Sequence, residues 1–196
     1  DYNSVNVSGE NNHKEYISGC LTFMDIDVNN LEIYFKNSSC EDAVNFLRVK
    51  GSIDLIDIEN SLGDGLDIDF SEILIDKIYI KNSLNDCIDL SSGKYNIKEA
   101  IVKNCGDKGL SIGEKSNGQV EELTIFSAKS GVASKDSSII NINNLLVKDS
   151  DYCMQAYRKK QEYFGGSISV QNIECDESTI LSDNGSQIII ANSNDF

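Results

Sequence analysis

Apolar and polar residues recur along this chain in step with a unit of 22. Counting by 22 from Ala43 meets Gly65, Cys87, Gly109, Gly131 and Cys153, all small. The next column reads Val44, Leu66, Ile88, Leu110, Val132 and Met154, all apolar. Two positions on come Phe46, Ile68, Leu90, Ile112, Ser134 and Ala156, and between these columns stand Asn45, Asp67, Asp89, Ser111, Ala133 and Gln155. Apolar and polar positions alternate with a period of two, so each unit is predicted to contain a half-buried strand.

A second strand precedes each of these, with the spacing apolar-x-x-apolar-x-apolar. It reads Val28-Leu31-Ile33, Ile53-Ile56-Ile58, Ile75-Ile78-Ile80 and Ile97-Ala100-Val102, then Val120-Leu123-Ile125, Ile142-Leu145-Val147 and Val170-Ile173-Cys175. Ile188 is placed to start one more. Between the strands lie the turns "ENSLGD", "KNSLND" and "KNCGDK", which bring Asn60, Asn82 and Asn104 into one column. A side-chain amide ladder inside that turn is expected to be structural, satisfying backbone groups coil after coil. No helical period of useful length competes. A 22-residue unit of two or three short strands cannot bury its own apolar face, whereas stacked units can. The expected fold is an all-β, single-domain, right-handed parallel β-helix of roughly seven or eight coils, about 35–40 Å long at ~4.8 Å per coil. Residues 1–19 are expected to form an N-terminal edge or cap, 20–182 the regular coils and 183–196 the C-terminal edge.

Composition narrows the setting. The 196 residues carry a formal charge of −15, with no proline or tryptophan. An acidic surface argues against nucleic acid, since phosphate binding needs basic residues. No run of 18 or more apolar residues is present, so no membrane insertion by a helix is expected. The chain opens "DYNSVNVSGE", without Met or a signal peptide, and reads as a mature chain or an excised domain. Six cysteines stand at 20, 40, 87, 105, 153 and 175, with no C-x-x-C pair and His13 as the one histidine. A zinc site is not expected. The cysteines read as free, packed small hydrophobes, because a chain of this length does not need a disulfide framework.

The columns, together with the series "GDGLDIDFS", "NDCIDLSSG", "DKGLSIGEKS" and "SGVASKDSS" over about residues 20–180, resemble the repeats of the pectate-lyase-like superfamily of right-handed parallel β-helices. The resemblance implies the fold. That fold hosts polysaccharide lyases, hydrolases, epimerases, tailspikes and adhesins, so activity must be argued from sites. Some Ca²⁺-assisted lyases of the superfamily use a Lys base and an Arg acid on adjacent coils. Lys115-Ser116 resembles a fragment of that pattern, but Lys135 stands where the Arg is wanted. The paired-aspartate hydrolases carry N-T-D, D-D, G-H-G and R-I-K motifs, none of which is present.

The residues themselves leave several chemistries open. Asp67 and Asp69 lie two apart on one strand and point outward together, and Asp89 follows Asp67 one coil on. They are candidates for a Ca²⁺ site, for a catalytic carboxylate set, or for plain solvated charge. Lys115 and Lys135 are the candidate catalytic lysines, with ordinary surface charge as the alternative. The segment "YRKKQEYFGG", 157–166, breaks the period, since the step from Ile142 to Val170 is 28. This loop offers Arg158, Lys159 and Tyr163, and the strand column offers Asp89, as candidate substrate-binding residues. The function expected is an extracellular or cell-surface module for carbohydrate, an acidic polysaccharide above all. The alternatives are a uronate lyase or epimerase, and a purely structural repeat domain.

Overall fold

The computed structural model describes residues 3–8, 18–176, 178–183 and 185–192; part of the expected N-terminal cap, His13 included, lies outside these. Among the described residues, fifteen strands follow one another. They are β1 (Asn3–Ser8), β2 (Gly19–Met24), β3 (Asp27–Ser38), β4 (Asp42–Leu47), β5 (Lys50–Ser61), β6 (Asp64–Asp69), β7 (Glu72–Ser83) and β8 (Ile88–Ser91). The series continues with β9 (Lys94–Gly113), β10 (Asn117–Lys135), β11 (Ile139–Lys148), β12 (Tyr152–Tyr157), β13 (Ser167–Cys175), β14 (Thr179–Ser182) and β15 (Gln187–Asn192). All pair in parallel, giving a β-solenoid of about eight turns with ~22 residues per turn.

Two ladders run the length of the rod. One passes through β1-β3-β5-β7-β9-β10-β11-β13-β15; the other passes through β2-β4-β6-β8, joins the long strands β9 and β10, and ends in β12 and β14. In the second ladder Val44, Leu66, Ile88, Leu110, Val132 and Met154 lie in register and are completely buried. They face Ile33, Ile56, Ile78, Ala100 and their successors from the first ladder in one continuous core. The small column has a steric cause. A Cβ on Gly109 would stand 2.7 Å from Ile125 of the opposite ladder, and one on Gly131 would stand 2.6 Å from the Cys153 carbonyl.

The first coil departs from the expected alignment. Leu31, Ile33 and Phe35 pair with Ile53, Ile56 and Ile58, so the triad begins at Leu31 and not at Val28. Val28 instead stands opposite Gly51, whose φ of 124° brings its Cα face against the Val28 carbonyl. The register slips between Val28 and Leu31, and this irregularity is what the simple count missed. At the far end Ile190 takes the column position opposite Val170, with Ile188 one step earlier, opposite Ile168.

The cysteines are not free. Cys20–Cys40, Cys87–Cys105 and Cys153–Cys175 form disulfides, with Cα–Cα distances of 5.4, 5.4 and 6.1 Å. The physical reason is the coil itself. Cys20, Cys87 and Cys153 all belong to the small column, and a partner 18 to 22 residues on comes round one turn later beside it. Winding thus brings together pairs that look remote in sequence, within bridging distance.

Candidate functional site

Two corners set the edges of the second ladder. At the first, Asn37, Asn60, Asn82 and Asn104 adopt φ between 57° and 64°, a left-handed conformation that Asn tolerates better than most residues. Their amides hydrogen-bond in series: Asn60 Nδ2 donates to Asn37 Oδ1 (2.9 Å), Asn82 to Asn60 (2.8 Å) and Asn104 to Asn82 (2.8 Å). The ladder lies at the surface, and its partners are amides and not backbone groups. At the second corner Arg48, Phe70 and Ser92 are left-handed in the same way.

Between the corners the outward face of the second ladder forms a polar strip. Asn45, Asp67, Asp89 and Ser111 stand in one column, and Asp69 and Ser91 in another two residues along. A third column was missed by the sequence reading. Asp42 pairs with Asp64, the Asp86 amide donates to Asp64 Oδ1 (2.8 Å), and the Lys108 amide donates to Asp86 Oδ1 (3.0 Å). The signal was present, since Asp42, Asp64, Asp86 and Lys108 follow the same step of 22, one position before Ala43.

The strip is divided electrically along its length. At one end the cations are engaged. Lys108 Nζ bridges Asp86 (3.3 Å) and Asp107, Lys135 Nζ donates to Ser111 Oγ (2.8 Å) beside Asp89 (3.7 Å), and Lys160 pairs with Glu114. At the other end, no lysine or arginine among the described residues pairs with Asp42, Asp64, Asp67 or Asp69. Burial pushes Asp42 up to about 6, helped by the charges of Glu41, Asp69 and Asp89. Burial likewise raises Asp64 and Asp86 to about 6. Asp67 and Asp69 share a hydrogen bond, and both are raised, first by burial and then by neighbouring carboxylates. Asn45 Nδ2 donates to Asp67 Oδ2 (2.8 Å). Asp42 is 3% exposed and its Oδ2 has no partner.

The expected site residues therefore divide. Asp67, Asp69 and Asp89 do share the outward face. Among the described residues, however, no group of three or more acidic, His or Cys side chains is arranged to hold a metal ion. Asp67 and Asp69 hold each other while Asp89 lies beside Lys135. Lys115 and Lys135 are not equivalent. Lys135 is a strand residue level with Gly113, buried, its stem lying over that glycine. Lys115 lies two residues past that level, in the corner with φ 62°, exposed, its ammonium 5.6 Å from the centre of the Tyr163 ring.

The 157–166 loop is fastened to the rod. Asp136, fully buried, accepts the Lys159 and Lys160 amides at Oδ1 (2.8 and 2.7 Å), and Ser137 Oγ accepts the Phe164 amide (2.8 Å). Arg158 and Lys159 remain exposed at its edge, and Tyr163 is half-buried under Lys115. The chain matches no family model, no curated protein and no solved structure with which it was compared.

Proposed function

We propose that this β-solenoid is an extracellular module that binds a polysaccharide along the outward face of its second ladder. The observation that carries the reading is the strip itself. Asp64, Asp67 and Asp69 on one coil and Asp89 on the next are partly exposed carboxylates ~4.8 Å apart along the rod, whereas Asp42, Asn45, Asp86 and Ser111 are buried. A polymer crossing these two coils meets carboxylates at successive steps, and its hydroxyls supply the donors that carboxylates accept. Tyr163 at the fastened loop offers a ring face for sugar stacking. The resemblance of the coils to pectate-lyase-like repeats supports a glycan ligand. Three disulfides support an oxidising, extracellular setting. No described helix is long and apolar enough to cross a membrane.

The geometry favours a ligand without acidic groups over the acidic polysaccharide that the lysines first suggested. Lys108, Lys135 and Lys160 already pair with the protein's own carboxylates, and a uronate chain on the strip would face the partly exposed Asp64, Asp67, Asp69 and Asp89. Retention of the protein on immobilised neutral, acidic and de-N-acetylated polysaccharides, with and without Ca²⁺, tests the reading. Asp67→Ala and Asp89→Ala should each abolish retention. Failure to be retained on any of them refutes it.

A second reading, catalysis on the glycan, has one observation in its favour. Asp67, raised and hydrogen-bonded to Asp69, presents a proton donor beside a carboxylate acceptor. New reducing or unsaturated ends after incubation with a retained polysaccharide would select this reading.

A further inference from the structure

Phenylalanine stands at two places where nothing in the fold asks for it. The second corner turns through one left-handed residue per coil, Arg48, Phe70, Ser92, Glu114 and Asp136, with φ between 50° and 59°. A bulky aromatic is poorly suited to that conformation. Burial does not compensate, since Phe70 is 59% exposed. Phe164 reaches the same corner four coils on. The amide-to-carbonyl bonds between coils run from Phe70 to Ser91, from Ser92 to Gly113, from Lys115 to Asp136 and from Ser137 to Phe164. The Phe164 amide in turn donates to Ser137 Oγ (2.8 Å). Both backbone groups of Phe164 are therefore held, yet its side chain leaves the residue 80% exposed.

Resting on the glycan reading above, we infer that Phe70 and Phe164 are stacking platforms for two separate sugar rings of one polysaccharide chain, which runs along the second corner parallel to the rod. Four coils at ~4.8 Å place the two corner positions about 19 Å apart, too far for one sugar to reach both. Between them the corner is polar: Ser92 Oγ donates to Glu114 (3.2 Å), and Lys160 pairs with Glu114. Apolar, polar and apolar in turn suit a glycan, whose rings offer C–H-rich faces between hydroxyl groups. The C–H groups of such a face meet the negative face of an aromatic ring. A lipid surface or a protein partner calls for one continuous apolar patch, which the polar residues interrupt. The path also joins the strip, because Phe70 directly follows Asp69, one of the partly exposed carboxylates. Tyr163 is less open than Phe164, since the Lys115 ammonium lies over its ring.

Retention of wild type and variants on immobilised cellulose, xylan, mannan, chitin, chitosan and polygalacturonate is the first measurement. On a polysaccharide that retains the wild type, Phe70→Ala and Phe164→Ala should each weaken retention roughly tenfold, the order of one lost aromatic contact. Leu84→Ala, of similar exposure at the other corner, should not. The chain has no tryptophan, so Phe70→Trp and Phe164→Trp each carry a single indole reporter. Both should change emission with the same Kd on titration with the hexasaccharide of that polysaccharide, and the disaccharide should bind more weakly. Thermal melts of each variant confirm folding. Unchanged retention of either alanine variant, while Asp67→Ala still abolishes it, overturns the inference and leaves the glycan reading standing. A response from one tryptophan alone overturns the two-platform arrangement. Pelleting with phosphatidylcholine vesicles that is lost in Phe164→Ala assigns the ring to lipid and overturns the inference. No retention of the wild type on any of these polysaccharides overturns both.

Discussion

Asp42→Asn should make the protein more stable at neutral pH, and the gain should vanish in acid. In the folded chain the Asp42 carboxyl is raised from 3.8 to about 6, mainly by burial and then by the charges of Glu41, Asp69 and Asp89. The folded state thus holds this proton more tightly than the unfolded chain does. Stability is fully retained below the unfolded value, is lost as pH rises from about 4 through about 6, and is constant above. Two pKa units at ~1.4 kcal/mol each give a loss of about 3 kcal/mol at neutral pH. Asparagine keeps a side-chain acceptor and carries no charge. It also relieves Asp64 and Asp67, both of which are raised in part by Asp42. Urea unfolding of wild type and variant at about pH 4 and about pH 8 measures the effect as the difference between two differences. The variant should gain on the order of 3 kcal/mol at the higher pH and nothing at the lower. A gap of equal size at both pH values would refute the reasoning, because an uncharged or solvent-screened Asp42 could not produce the pH dependence.

Leu110, completely buried in the second ladder, should cost about 2–5 kcal/mol on truncation to Ala, read by denaturant unfolding; a loss below ~1 kcal/mol would contradict the packing. Asn82→Ala should be worse than Asn82→Gly by roughly 1 kcal/mol, since Asn82 holds φ 63° and Gly alone matches that conformation freely. Equal stabilities would show that the backbone at this corner is unstrained. Thiol titration of the denatured, unreduced protein should find none of the six cysteines free. Cys87→Ser with Cys105→Ser should destabilise by about 3 kcal/mol, the usual effect of a loop near 18 residues.

The solenoid was legible because a coil that repeats in space repeats in sequence. The column from Val44 to Met154 must be apolar at every step, since each residue enters the same core. The Asn60, Asn82 and Asn104 rungs recur for a like reason: one left-handed corner per coil asks for the same residue type. Asp42, Asp64, Asp86 and Lys108 obey the same count, so that column too was written in the sequence, though polar positions at a corner show no alternation to reveal it. What the period could not supply was everything that depends on contact between unlike positions. Cys87 and Cys105 stand 18 apart, which is no repeat of the unit, and only the turn of the coil lays one against the other. Lys115 and Lys135 follow similar strands, yet one lies exposed over Tyr163 and the other is buried beside Ser111 and Asp89. Their difference arises from two residues of offset at a bend and from the loop that closes over it. Whether a carboxylate finds a cation, a proton or no partner was likewise decided by the side chains that winding brings alongside, because charge acts through distance in space and not through separation along the chain.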